Sequence, residues 1–590
     1  MYKHFILRFI AFYLLSSLGA FALPQHINYL IQKSKISKKD ISIMIKEVGT
    51  KGRVLASLNA QSTRTPASVV KALTTYSALV KLGFNYRWPT KFYTTGHVKA
   101  GVLYGDLIVK GFGDPSLKSR DLSKIVASIR AEGIRGIQGN IIIDRSYFDV
   151  GTKNSSYFDE NPYSAYNAMP DALMFNERIS TICIQPKKQS AYRKHNDRSY
   201  TVINKLKHVN KACKGRYSWP RIKINDKTER STITLSGQIS KRCKTRNICK
   251  VLTKPYESFY YDLKAKLKSE KIKVSGKLKL QKTPTHAIEL FTHYSGTLEQ
   301  IISKTAKKSN NLYARHILLL LGVKIYGAPA TLAKGRKAIK HILASQNALA
   351  SGVLRLDNGS GLSRVAKLNA RHLSQMYDTA YEHYGKRWMQ TLSIAGKDGT
   401  IRRRFRNSVI ANRAWMKTGT LKNVKNIGGY VKDTRGNMYT VVVLVNSTRA
   451  RYRGAKLQNE IIKWVVKGKA KRHTGKIHNP LPTKLLETKL EIPRLETLSL
   501  SKEKEKPQSI EVSIVSKIEG EKYYIQVGSY KLKPSQRYLA KIEKLALPYK
   551  VIESDIYTVL IGPYEQQSSV DALLKKLKNT FYKSAFIRKL

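Results

Sequence analysis

Over residues 41–58 apolar and polar positions alternate in two short runs, and Gly49-Thr50-Lys51-Gly52 between them supplies the residues of a tight turn, so a strand pair is expected there. Pro66 then opens a stretch in which Val69, Leu73, Tyr76 and Val80 recur at the spacing of one helical face. A long middle region, about 96–285, is rich in short β-like segments, Gly, Lys and Tyr. Helical periodicity resumes over 298–321. Residues 427–432 and 438–445 alternate as a hairpin around Asp433-Thr434-Arg435-Gly436-Asn437, and 457–466 has the pattern of a packed helix.

Two segments break these patterns. Between 467 and 514 the chain turns to Pro, Lys, Glu and Ser, which reads as a linker. At the start, Lys3 and Arg8 precede an apolar run ending near Leu18, and Ala20-Phe21-Ala22 is a small-x-small cleavage pattern, so 1–22 reads as a signal peptide and export is expected. An uncleaved anchor is the alternative. Beyond the linker, order returns: strand 523–528, helix 536–545, strands near 549–552 and 557–561, helix 568–577, strand 584–587. That βαββαβ order suits one small α+β sheet with two helices on a face.

Composition adds 108 lysines and arginines against 39 aspartates and glutamates, a formal net charge of +69. In an exported protein such a surface faces wall polymers and lipid head groups rather than nucleic acid, and a lysine-rich solvated surface is the plainer reading. Cys183, Cys213, Cys243 and Cys249 lack the short paired spacing of zinc ligands. In an oxidising compartment they allow up to two disulfides, in any of three connectivities, with free buried thiols as the alternative. His316 and the other histidines match no metalloprotease spacing, and neither metal nor cofactor is expected.

Candidate chemistry begins at Ser68-Val69-Val70-Lys71, which sets a hydroxyl and an amine one helical turn apart. A serine is a weak nucleophile until a base takes its proton, and a desolvated lysine can be that base. Alone the pattern means little, since Ser499 to Lys502 and Ser501 to Lys504 repeat it in the linker. Its company is what counts. Ser309-Asn310-Asn311 follows in a helix-flanked segment, and Lys417-Thr418-Gly419 follows a short β-like run. Ser-x-x-Lys, Ser-x-Asn and Lys-Thr-Gly, in that order, are the signatures of penicillin-recognising serine enzymes. Ser309 can relay a proton to a leaving amine, and Asn311 can donate to a substrate amide and hold the lysine. Lys417 and Thr418 can hold a terminal carboxylate. Gly419 lets an extended substrate approach the strand, and the N–H groups of Ser68 and Thr420 would form an oxyanion hole. Read singly, Ser309 is a helix cap and Lys417 a solvated surface lysine.

The set resembles the D-alanyl-D-alanine carboxypeptidase/endopeptidases of the DacB type, the class C low-molecular-mass penicillin-binding proteins. Ser68 and Ser309 lie 241 positions apart, an interval far longer than in class A β-lactamases or simpler carboxypeptidases. In the DacB type two extra domains are inserted there. Gly105-Asp-Leu-Ile-Val-Lys-Gly-Phe-Gly-Asp-Pro-Ser116, Gly139-Asn-Ile-Ile-Ile-Asp144, Asp357-Asn-Gly-Ser-Gly-Leu-Ser-Arg364 and Gly396-Lys-Asp-Gly-Thr400 are similar as well, so the likeness spans about 25–466. The C-terminal segment resembles a SPOR domain through Tyr524-Ile-Gln-Val-Gly-Ser-Tyr530 and Tyr557-Thr-Val-Leu-Ile-Gly-Pro-Tyr564.

These resemblances imply a multidomain α/β chain: a transpeptidase-like domain at 23–95 and 286–466, inserted β-rich domains at 96–285, and the SPOR module at 515–590. They imply a periplasmic hydrolase of peptidoglycan stem peptides, acylated by β-lactams and carried to denuded septal glycan, with septal division proteins as further candidate partners. Gln526, Ser529 and Tyr564 are candidate sugar contacts, though core or turn positions explain them equally. Family members also reach over the site with an acid followed by an aromatic. Here Asp159-Glu160-Asn161 and Tyr166 are the nearest match, and the sequence leaves the acid undecided. A β-lactamase and an inactive wall-bound scaffold are the competing readings.

Overall fold

The computed structural model describes residues 23–150, 158–227 and 230–468 and, beyond these, four strands and scattered positions between 523 and 589. The leader expected at 1–22 and all but the start of the linker lie outside the described residues. The chain forms two compact units, Met1–Lys476 and Ile477–Leu590.

The strand pair expected over 41–58 is Ile41–Glu47 against Val54–Leu58, antiparallel. Gly52 makes its turn possible, since a Cβ there would sit 2.0 Å from the Glu47 carbonyl oxygen. The pair closes one edge of a six-stranded sheet in the order Ser393–Ile394, Ala414–Leu421, Val424–Lys432, Met438–Asn446, Ile41–Glu47, Val54–Leu58. Both faces of this sheet are covered, which is why Val441 to Val445 run as unbroken apolar residues, all fully buried. Helices Gln25–Ser34 and Ala455–Val466 pack Ile27, Ile31, Leu457 and Ile461 on one face. Helices Lys71–Leu82, Asn311–Tyr326 and Ala370–Gln390 build the core on the other.

The helical pattern over 298–321 resolves into two helices rather than one, Leu298–Lys307 and Asn311–Tyr326. Ser309 takes a left-handed φ of 53°, and the Asn310 side chain accepts from the Tyr313 N–H at 3.1 Å, so an N-cap begins a new helix at that point. The second helix runs through the core, where Ile317 to Leu321 are fully buried; each such leucine contributes on the order of 2 kcal/mol by burial.

Between the first and second motifs the chain builds further sheets. A five-stranded sheet runs in the order Leu278–Leu280, Ile141–Asp144, Leu107–Gly111, Pro89–Thr94, Ile288–Tyr294, so it includes strands on both sides of the 96–285 stretch. Helices Leu122–Ala131 and Pro255–Ser269 share its apolar core. Beyond lie two three-stranded sheets, one of them Tyr200–Val209, Ser231–Ser240 and Arg221–Asn225. They carry one disulfide, Cys213–Cys243. Cys183 and Cys249 are free, so only one of the two bridges the sequence allows is present. Those two cysteines sit on adjacent strands, but the register sets Cys183 opposite Asn247 and Cys249 opposite Thr181.

The second unit is an antiparallel sheet in the order Tyr549–Glu553, Tyr557–Tyr564, Tyr523–Tyr530, Phe586–Lys589, with Ile525, Val527, Val559 and Ile561 in its core. The helices expected at 536–545 and 568–577 fall largely outside the described residues. No described helix is long and apolar enough to cross a membrane.

Candidate active site

Ser68 lies in the short turn Ala67–Val70 that leads into helix Lys71–Leu82. The turn is fixed from three sides. Asn426 donates from Nδ2 to the carbonyls of Thr65 and Pro66 (both 2.9 Å), and Asn446 Oδ1 accepts from the Thr65 N–H (2.7 Å). Gly361, with φ of 80°, lies so close that a Cβ would be 1.9 Å from the Ala67 carbonyl oxygen.

Lys71 is completely buried, and its Nζ meets Ser68 Oγ at 2.9 Å, Asn311 Oδ1 at 2.7 Å and the Ser360 carbonyl oxygen. Burial lowers its pKa well below that of an ordinary lysine, and the charges of Lys417 and Arg315 push the same way. Both effects favour the uncharged amine, which is hydrogen-bonded to the hydroxyl it would deprotonate.

Lys417, on strand Ala414–Leu421, is also fully buried, and its Nζ donates to Ser309 Oγ (3.0 Å) and the Thr418 carbonyl (2.7 Å). Burial brings its pKa down to about 7. Thr418 Oγ1 lies 2.8 Å from Thr400 Oγ1, and Gly419 packs against the start of the Ser68 turn, where a Cβ would be 2.9 Å from the Ser68 nitrogen. On its outer side this strand pairs with Ser393–Ile394 only at Met416 and Trp415, leaving the edge from Lys417 to Leu421 open among the described residues. Thr420 is exposed on that edge. An extended peptide could add itself there as a strand.

The three motifs thus meet in one groove: Lys71 joins the first to Asn311 of the second, and Lys417 joins the third to Ser309. Asn311 Nδ2 donates to the Tyr166 carbonyl at 3.0 Å, which brings in the segment over the site. There Asp159 accepts from Tyr166 OH (2.9 Å) and Asn167 Nδ2 (2.7 Å), while Glu160 is exposed. Arg364 Nη2 donates to the Phe158 carbonyl at 2.9 Å.

Several residues at this site carry no sequence motif. Arg315 is buried, with Nη1 donating to Ala168 O at 2.7 Å and Nε lacking a partner among the described residues. Glu177 meets Lys118, Lys304 and Asn310. Ser360 was within reach, because it lies in the quoted Asp357–Arg364 stretch, but its contribution is a main-chain oxygen. Among the described residues no cluster of His, Cys, Asp or Glu could hold a metal.

In the C-terminal unit Gln526 sits opposite Leu560 and Phe586, in the alternate register to the core residues Ile525 and Val527. Tyr564 packs partly against that core with its hydroxyl buried, and the side chain of Ser529 lies outside the described residues.

Residues 23–467 match the model of the D-Ala-D-Ala carboxypeptidase 3 (S13) family, and 519–589 match the SPOR domain. A D-alanyl-D-alanine carboxypeptidase DacB of Haemophilus influenzae is 24% identical over 438 residues, covering 72% of this chain and 90% of that protein. A D-alanyl-D-alanine carboxypeptidase of Actinomadura is 23% identical over 438 residues, covering 71% and 80%. The crystal structure of penicillin binding protein 4 from Haemophilus influenzae superposes with a TM-score of 0.64 at 22% identity, over 75% of this chain and 99% of that one. A second structure of that protein, complexed with a β-lactam, gives 0.61 at 22% identity with the same coverage.

Proposed function

The chain belongs to the D-Ala-D-Ala carboxypeptidase 3 (S13) family, a family of serine-type hydrolases, and carries a SPOR domain; on that premise we propose that Ser68 is the nucleophile of an acyl-enzyme mechanism on peptidoglycan stem peptides. The observation that carries this reading is the buried Lys71 amine, hydrogen-bonded at once to Ser68 Oγ and Asn311 Oδ1.

Lys71 Nζ takes the Ser68 proton as Oγ attacks the carbonyl carbon of the penultimate D-alanine. The oxyanion lies between the N–H groups of Ser68 and Thr420. Lys417 and Thr418 hold the terminal carboxylate, whose negative charge favours the cationic form of Lys417. As the C–N bond breaks, Ser309 passes its proton to the departing amine and is reprotonated at the net expense of the ammonium of Lys71, which returns to the free amine. Water then attacks the ester, Lys71 takes its proton and hands it to Ser68 Oγ as the ester C–O bond breaks, and the shortened stem is released. Where the departing amine belongs to a neighbouring stem, the same steps are endopeptidase cleavage, and the strand edge beside Thr418 and Gly419, unpaired among the described residues, would take either donor peptide. Asp159, which accepts from Tyr166, is the acid this reading assigns to an ammonium on the third stem residue.

Residues 23–95 with 286–466 form the catalytic unit in this reading, 96–285 the insertion and 515–590 the glycan-binding module. Residues 1–22 are the export signal, and 467–514 tether the module to the enzyme. The Cys213–Cys243 disulfide supports an oxidising, periplasmic setting. A module that seeks glycan stripped of stem peptides would bring the enzyme to the septum. Incubation with purified muropeptides tests the activity. Free D-alanine from pentapeptide stems and monomers from cross-linked dimers are the expected products, and their absence with a folded enzyme contradicts it.

A further inference from the structure

Glu177 reaches the second motif from the inserted region. It is the middle of Asn176-Glu177-Arg178, three successive non-glycine residues with φ of 47°, 55° and 58°. A run of this kind persists only where its surroundings hold it. Asn176 Oδ1 accepts from the Ser119 N–H (3.1 Å) and its Nδ2 donates to Ser119 Oγ (2.8 Å), while Arg178 Nε donates to the Thr253 carbonyl (3.1 Å).

The turn presents one carboxylate, largely buried. Its Oε1 accepts from Lys118 (2.8 Å) and Lys304 (2.7 Å), and its Oε2 accepts from Asn310 Nδ2 (2.8 Å). The ammonium of Lys304 also donates to Tyr313 OH (2.8 Å). Asn310 stands between Ser309 and Asn311, and both ends of its amide are engaged: Oδ1 caps the helix at Tyr313, and Nδ2 is held by Glu177. Ser309, the residue before it, is the one in left-handed conformation, and its Oγ receives the Lys417 hydrogen bond.

We propose that Glu177 is a positioning residue for acyl transfer. By fixing the Asn310 amide it sets the backbone that aims Ser309 Oγ at Lys417 and Asn311 Oδ1 at Lys71. The inserted region thereby takes part in the chemistry through this carboxylate, beside the Tyr166 carbonyl that accepts from Asn311. This inference rests on the reading of Ser309 and Asn311 given above.

A double-mutant cycle read by benzylpenicillin acylation tests it, with the first-order acylation rate separated from the preceding binding constant. Glu177→Gln removes the charge, and Asn310→Asp keeps a helix cap but turns a carboxylate toward Glu177. Each should slow acylation by about tenfold or more with binding changed less than about twofold, and Glu177→Gln/Asn310→Asp should recover most of the loss through an amide-to-carboxylate bond of reversed polarity, within the coupling range of bonded pairs. Wild-type acylation in folded Glu177→Gln, or a double variant no faster than the slower single, would overturn the inference and leave Glu177 a tie between domains. If Glu177→Gln cannot be purified folded, Asn310→Ala is measured instead, and an unchanged acylation rate there overturns it equally. A wild-type enzyme that forms no adduct at all fails the reading of the site itself, and the inference falls with it.

Discussion

Two buried lysines share the groove, and the difference between their neighbours decides what each can do. Lys71 faces a hydroxyl, an amide oxygen and a main-chain carbonyl, with the cations Lys417 and Arg315 nearby, so its neutral form is favoured. Burial brings the pKa of Lys417 down to about 7. Acylation by benzylpenicillin, whose carboxylate needs a cation at Lys417, should therefore decline as pH rises past about 7, and a rate profile across that pH shows the alkaline limb. Burial of Lys417 has a second, opposite consequence for stability. Its folded pKa lies below the unfolded value, so the unfolded chain binds more protons from about pH 7 to 10.5, and stability rises with pH across that window. Denaturant melts should show this rise in the wild type and a shallower one in Lys417→Met, where the lowered pKa of Lys71 still contributes, and the variant should also be the more stable protein near pH 6. The motif residues Ser68, Lys71, Ser309, Asn311 and Lys417 were legible as candidates because type, spacing and order act together. Glu177 and Asn426 were not, because one acid among 39 or one asparagine gains meaning only from partners more than fifty positions away.

Elements carry the site through a few joints. Strand Val424–Lys432 contributes Asn426, whose Nδ2 holds the Thr65 and Pro66 carbonyls and whose Oδ1 accepts from the Val445 N–H. Asn426→Ala leaves buried main-chain groups without partners and should cost about 2–4 kcal/mol in a chemical melt while slowing acylation, since the Ser68 turn loses its tether. In the insertion, the Cys213–Cys243 bridge spans a separation of 30 residues. Opening it by Cys213→Ser/Cys243→Ser should lower stability by about 3–4 kcal/mol on loop-closure grounds, seen as faster proteolysis between those positions. Acylation should be little changed, because no described residue of that loop bonds to a residue of the three motifs. Both hairpins and the packed C-terminal helix of the first unit could be read from period and turn chemistry. The break at Ser309 could not: apolar residues recur on both sides of it, and only the left-handed φ and the Asn310 cap separate the helices. The pairing of Pro89–Thr94 with Ile288–Tyr294, strands that flank the 96–285 stretch, was equally hidden, because it joins residues about two hundred positions apart.

At the scale of the whole chain, a covered six-stranded sheet holds the chemistry, and the insertion leans over it through Asp159, Tyr166 and Glu177. The second unit is a sheet with its own core. If that module finds glycan by itself, a fragment of residues 515–590 should co-sediment with amidase-treated sacculi, stripped of stem peptides, and far less with untreated ones. Equal recovery from both would count against a preference for denuded strands. The central claim, that Ser68 attacks and is acylated, is tested most directly by intact-mass measurement of the mature protein and of Ser68→Ala after exposure to benzylpenicillin. One stable adduct on the wild type and none on the variant is the predicted result. An adduct on both, or none on well-folded wild type, would contradict the account.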